Sequence, residues 1–377
     1  MTAKLTGYIF AAPNFNIDEQ MDKILCSGSH EEDIFGDSPS IDQIRKACLL
    51  AFYEFHQFPG QQAWMRIGKL TRTALWIGLD RLDDLHAHYP GWRTLTEHQR
   101  EEWCLVWWCV YRLDSYANLS SGTPYLVDET LVNTAFVHDQ QWQGHLVEPE
   151  HDPAKQRVFL PSRPGDLWEP VSAITSGSPQ ASLLNLHIIT TTTLRQVGRA
   201  ARLYTLRPLQ GEKCLAEMER HLSAVRLSLP THYLNPRRNA FTNETGRDHH
   251  ARLITLFHLT MGRLLLSIMN CGGCEEGQEW ILSWQQVLEA CQDMASLSEQ
   301  WNSSHNLEVD PAISFIIFTA LIFLDIQKKS ANPLVRDARS AIEYSEKVLL
   351  MQLEQFASIW TLPKLLTRES AFAPLAL

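Results

Sequence analysis

The sequence predicts an all-α protein, a single multi-helical, bundle-like domain. Three observations point there. Apolar residues recur at helical spacing along most of the chain. Two capping boxes, Ser40 with Gln43 and Thr96 with Gln99, mark helix starts. Strand signals are weak. The stretch "HIITTTTL" at 187–194 is β-prone by composition, but its place between helical patterns allows helix by context.

The elements follow in order. Ile41, Ile44, Cys48, Phe52 and Phe55 form one stripe behind the Ser40 cap. "FPGQQ" at 58–62 is a turn, with Pro and Gly supplying the break. A second helix starts at about Ala63 and repeats through Trp64, Ile67, Thr71, Ala74 and Leu75. Gly78 suits its left-handed end, where a Cβ would be penalised. "DRLDDLHAHYPGW" reads as a loop. The Thr96 helix comes next and ends near Ser120, broken by "SSGTP". Residues 138–180 hold many His, Pro, Gly and Gln without a period, and read as a long surface loop or partly ordered linker. Helices resume at about Ser182. Others are expected at Cys214–Leu227, His250–Met269, Trp280–Ser298, Pro311–Gln327 and Pro333–Phe356. The organisation is a partly ordered N-terminal segment (1–40), a core (41–137), a loop or linker (138–181), a C-terminal helical half of the same domain (182–366) and a tail (367–377).

Composition narrows the class. The chain has 377 residues, 45% hydrophobic, enough for a sizeable core. Acids outnumber bases, 43 to 33, for a formal charge of -10. Phosphate binding is carried by Lys and Arg clusters, so this balance argues against a broad nucleic-acid footprint. The N-terminus lacks the apolar core of a signal peptide. The most apolar run, 313–326, falls short of the ~20 residues that cross a bilayer and reads as a core helix. Eight scattered Cys fit a reducing compartment.

Several motifs invite chemistry. Asp114 lies on the same stripe as Trp103, Trp107, Val110 and Ala117, where a core residue is expected. A buried carboxylate must be paired, because an unpaired charge loses its hydration. Arg66, Arg72 and Arg112 are candidate partners, with Arg72 on the neighbouring helix first. "CGGC" at 271–274 has zinc or redox spacing, but one pair supplies two ligands where structural zinc wants four, so a helix-ending turn is favoured. Asp80, Asp83 and Asp84 could hold Mg²⁺ beside a diphosphate met by Lys69 and Arg72, as in all-α isoprenoid diphosphate cyclases. A solvated acidic loop is the simpler reading. "DHHARL" at 248–253 makes a poor chelate, since adjacent helical His diverge. "NPRRN" at 235–239 is short for a nuclear signal.

The order of features carries a resemblance. "LLAFYEF" at 49–55 precedes "AWMRIGKLTRTALWIGLDR" at 63–81, then "EEWCLVWWCVYRLDSY" and "GTP". This resembles the fungal-specific transcription factor domain, the middle homology region of zinc binuclear cluster transcription factors. Its pattern falls on Trp64, Gly68, Gly78, Leu79, Trp107, Trp108, Tyr111, Asp114, Gly122 and Pro124. Where the family often has His after Gly-Leu and bases before the aromatic pair, this chain has Asp80, Glu101 and Glu102. The Cys-x2-Cys-x6-Cys repeats of the zinc-cluster module do not occur in it. The resemblance implies a nuclear or shuttling transcription regulator of a metabolic or secondary-metabolite gene cluster. It would act through other regulators, coactivators or a small-molecule effector, with structural signature residues, no catalytic residue and no cofactor. Sequence-specific DNA binding by this chain alone and membrane attachment are not expected. The alternative is the Mg²⁺-dependent cyclase on the same scaffold.

Overall fold

A computed structural model describes residues 39–84, 92, 94–138, 157–177, 179–238, 244–273, 278–329 and 333–372. The regular elements among these residues are all helices, with no strand among them. The helices are α1 (Ile41–Gln57), α2 (Gln61–Trp76), α3 (Glu97–Ser121), α4 (Glu169–Thr175), α5 (Pro179–Leu206), α6 (Pro208–Ser228), α7 (Gly246–Gly273), α8 (Gln278–Glu299), α9 (Pro311–Lys329), α10 (Pro333–Ala357) and α11 (Thr361–Phe372).

Both capping boxes form. The Ser40 hydroxyl accepts from the Gln43 amide at 3.3 Å while the Gln43 side chain accepts from the Ser40 amide at 2.6 Å. Thr96 and Gln99 repeat the pattern at 3.3 and 3.0 Å. Gly78 and Gly122 take the left-handed conformation, φ 77° and 64°, that ends α2 and α3. Beyond Gly78 the carbonyl of Ile77 accepts from Trp92 Nε1 at 2.7 Å.

Packing follows chain order. α1, α2 and α3 pack on one another. The long helices α5, α6, α7 and α8 pack consecutively, and α9, α10 and α11 continue the bundle. Two sets of contacts join these groups. α3 lies against α5 and α9, and α11 returns onto α1. One continuous apolar core runs through all of it, from Ile44 to Phe356.

One open reading is decided, one expectation changes and one is refined. "HIITTTTL" is the buried middle of α5. The hydroxyls of Thr192 and Thr193 donate to the carbonyls of Ile188 and Ile189, both at 2.9 Å, so the polar atoms that would resist burial are satisfied within the helix. Tertiary packing overrides β-propensity there. Of the segment read as loop or linker, 139–156 lie outside the described residues. The part from 157 to 177 is packed: it carries α4 and buries Leu160, Leu167, Val171 and Ile174. Its pattern escaped periodicity because α4 has only seven residues. Finally, α7 and α9 are long and apolar enough to cross a membrane by length and composition, but 72% and 56% of their apolar windows are buried in the bundle. Residues 1–38 and 373–377 lie outside the described residues.

Candidate functional site

The signature residues build a clamp at the end of α3. Trp64 Nε1 on α2 donates to Asn118 Oδ1 at 3.1 Å and to Thr123 Oγ1 at 3.3 Å. Gly122 turns the chain, Pro124 stays exposed, and the strap that follows crosses α2 at Gly68, beside Leu126. The strap then meets Asp114. The amides of Leu126 and Val127 donate to its two carboxylate oxygens at 3.2 and 3.3 Å, and Asn118 Nδ2 donates at 2.7 Å. Trp107 and Trp108 are fully buried beneath, and Trp108 Nε1 donates to the Ala135 carbonyl at 2.9 Å. Leu79 is buried, and its carbonyl accepts from Thr134 Oγ1 at 2.6 Å.

The cation that answers Asp114 is Arg195 on α5, not Arg72. Arg195 Nη1 donates to Asp114 Oδ2 at 3.2 Å and to Ser115 Oγ at 2.9 Å. Its Nη2 donates to the Val127 carbonyl at 2.7 Å and to Glu129 Oε2 at 3.4 Å. Arg199 reaches the same Glu129 oxygen at 3.1 Å. The side chains of Arg195, Asp114 and Glu129 are 1%, 0% and 2% exposed. The guanidinium carbon lies 4.6 Å from the Tyr111 ring centre and 4.1 Å from that of Tyr125, within cation–π range. Burial pushes the Asp114 carboxyl up; Arg195 and the two strap amides push it back down. Of the other candidates, Arg72 is exposed, Arg66 pairs with Glu54, and Arg112 faces a different cluster.

That second cluster was not anticipated. It gathers Arg112 and Tyr116 from α3, His187 and Thr190 from α5, His258 from α7 and Asp310 ahead of α9. Arg112 Nη1 lies 3.5 Å from His187 Nδ1. Arginine only donates, so Nδ1 accepts and the proton sits on Nε2. Nε2 in turn lies 2.6 Å from Tyr116 Oη and 3.4 Å from Asp310 Oδ2. The His258 ring is 5.1 Å from that of His187, and its Nδ1 is 3.3 Å from Thr190 Oγ1. Asp310 also caps α9, accepting from the Ala312 amide at 3.1 Å. Burial lowers the His258 pKa to about 3, helped by His187 and Arg112. Burial also lowers His187, with Arg112 adding to it. Burial alone would raise Asp310, but its hydrogen bond to His187 and the Arg112 charge hold it well below the usual carboxylate range. A flanking pair extends the cluster: His250 stacks on His305 at 4.3 Å and is lowered to about 3 by burial and by His305.

The acids of "DRLDD" do not converge. Asp80 pairs with its neighbour Arg81 at 3.3 Å, and burial raises its pKa. Asp83, expected to be solvated, has a side chain only 7% exposed. It accepts from Arg100 at 3.4 Å, from Arg157, and from the Ala135 amide at 2.8 Å. Asp84 is half-buried; Lys69 is half-buried and Arg72 exposed on α2. Among the described residues no three His, Cys, Asp or Glu side chains come together as metal ligands. Of "CGGC", Cys271 and both glycines form the last residues of α7, which ends at Gly273, and Cys274 lies outside the described residues. In "DHHARL", His249 Nε2 is 2.8 Å from the Pro236 carbonyl, and Arg252 bonds Glu244 at 2.7 Å and the Arg237 carbonyl at 3.0 Å. These residues fasten the 233–238 turn. Glu102 pairs with Arg45 at 2.8 Å, while burial lifts Glu101 to about 7.

A third feature is a surface cleft of about 260 Å³ between α6, α7 and α8. Its floor is leucine and its mouth carries Arg226, Arg263 and Asp293.

The profile of the fungal specific transcription factor domain family matches residues 11–206. That span includes every residue of the clamp. A curated protein, the ascochitine biosynthesis cluster transcriptional regulator of Didymella fabae, is 29% identical over 125 residues, covering 32% of this chain and 21% of that protein. The aligned part thus spans about a fifth of the relative's length. No solved structure matches.

Proposed function

The chain belongs to the fungal specific transcription factor domain family, and from that membership we propose that this transcription regulator controls a metabolic or secondary-metabolite gene cluster from the nucleus. It acts through contacts with other regulators or coactivators, or through a small-molecule effector. The observation that carries this reading is the family match over 11–206, which contains the whole Asp114–Arg195–Glu129 clamp. The likeness to a cluster regulator supports the finer assignment. We infer further that the 377 residues do not read DNA by themselves. The acidic balance and the missing Cys-x2-Cys-x6-Cys repeats support this, because sequence readout needs a projecting, basic recognition element.

Two measurements test it. The chain is fused to an unrelated DNA-binding module and assayed on a matched reporter. Activation or repression that the module alone lacks is expected; an unchanged reporter would defeat the regulator reading for this chain. The purified chain is then titrated against DNA fragments in a mobility-shift assay. Only weak, salt-sensitive binding is expected, and salt-resistant, sequence-selective binding would overturn the second inference.

A further inference from the structure

We propose that the cleft between α6, α7 and α8 is a binding site for a small monocarboxylic acid with an aliphatic tail. The floor is apolar and already formed. Leu222, Leu256, Leu259 and Leu297 line it, and each is buried by its own helix packing. An aliphatic tail placed there loses water contact against groups that need not move.

The mouth selects the head group. Arg226 on α6 is exposed and makes no ion pair among the described residues. Arg263 on α7 pairs with Asp293 on α8. Two guanidiniums against one carboxylate leave a single positive charge, which fits a monoanion better than a phosphate dianion. Guanidinium groups also match the two oxygens of a carboxylate in plane. Hydroxyls complete the rim. Thr255 and Thr319 turn their hydroxyls back to the carbonyl one turn earlier, at 3.3 and 2.8 Å. Thr260 and Ser223, which line the cleft, make no such bond among the described residues, so their hydroxyls are free to serve a polar head.

Size decides between a small acid and a protein segment. A cleft of about 260 Å³ takes a short alkyl chain. A helix is about 10 Å across with its side chains and would not enter.

The site deepens the proposal of an effector-controlled regulator and rests on it for its biological meaning, but binding is measured independently. The full chain is titrated with octanoate by calorimetry, with octylamine and 1-octanol as parallel probes. Saturable single-site binding of octanoate is expected, about tenfold or more tighter than either neutral or cationic probe, the difference carried by charge-assisted hydrogen bonds. Arg226→Glu should weaken octanoate by about tenfold or more while leaving the unfolding midpoint in place, because the residue is exposed. Ser223→Trp, a rim substitution that fills the cleft, should abolish binding. No saturable binding, equal binding of all three probes, or binding indifferent to both substitutions would each overturn the site. The fused-reporter assay stands apart: a regulator that fails to bind octanoate still moves its reporter, and a binding chain that moves none refutes the regulator reading alone.

Discussion

Replacing Arg195 with Met should unfasten the clamp and little else. The thioether side chain is close in length and apolar, so the change removes charge and donors while keeping volume. Two carboxylates, Asp114 and Glu129, then remain in the interior, with Arg199 still reaching Glu129 at 3.1 Å. Asp114 keeps the Leu126 and Val127 amides and Asn118, but loses its cation. The Ser115 hydroxyl and Val127 carbonyl each lose a donor as well. Breaking a buried pair from one side costs about 3–5 kcal/mol. With a urea m-value of about 3 kcal/mol/M, the midpoint should fall by roughly 1–1.7 M. Tryptophan fluorescence reads the transition, since Trp107 and Trp108 are fully buried beneath the clamp. A double-mutant cycle separates the pair from general damage. Asp114→Asn should be destabilising in the wild-type chain and much less so beside Arg195→Met, with a coupling of about 1 kcal/mol or more. Arg195→Lys should recover only part of the loss, because an ammonium cannot span Asp114, Ser115, the Val127 carbonyl and Glu129 at once. A midpoint shift below about 0.3 M for Arg195→Met would refute the clamp as a stabilising unit.

Stability should fall as pH drops from 6.5 toward 3. His258 and His250 titrate at about 3 when folded and near 6.5 when unfolded, so the unfolded chain takes up protons first. Below pH 6 the loss approaches about 1.4 kcal/mol per pH unit for each histidine, while Glu101, lifted to about 7, offsets one such share down to about pH 4.5, so urea midpoints at pH 7, 6 and 5 should still fall; a midpoint that rises from pH 6 to 5 would mean these rings are protonated or exposed when folded. Asp83→Asn should lower stability by roughly 1–3 kcal/mol, because Arg100 and Arg157 lose their buried carboxylate and keep only the exposed Glu97 as an ion-pair partner among the described residues, measured by the same unfolding curve. An unchanged midpoint would return Asp83 to the solvated loop first expected of it.

What the sequence made legible was local. The Ser40–Gln43 and Thr96–Gln99 boxes, the Gly78 and Gly122 ends, and the apolar stripes of α1 to α3 involve residues within a few turns of each other. Asp114 could be recognised as a core acid from its stripe alone. Its partner could not, because Arg195 lies 81 residues away. Choosing Arg72 assumed that the neighbouring helix in sequence supplies the cation, whereas Arg72 faces solvent. One signal was available. No Asp, Glu, Lys or Arg occurs between Glu169 and Arg195, so Arg195 interrupts a long uncharged helix and needs an acid somewhere. The Arg112–His187–Asp310 cluster had no such signal. Its members come from four separate segments, and isolated histidines are common in helices.

Helix α5 explains why the two networks coexist. His187, Thr191, Arg195 and Arg199 recur every fourth residue, so they share one stripe of the helix. A polar stripe in a core is tolerable only if partners meet it along its whole length. The Arg195–Arg199 end is satisfied by Asp114 and Glu129, both inside the family-matched span. The His187 end is not: its carboxylate is Asp310, and the histidine packed against it is His258, both beyond residue 206. A chain ending at the match boundary would leave Arg112 and His187 without that carboxylate. It would also expose the face of α5 that packs on α7. The matched span and the helices after it therefore share one polar spine: His258 of α7, the helix whose Leu256 and Leu259 line the cleft, packs against His187 at the same α3–α5 crossing that the signature residues hold.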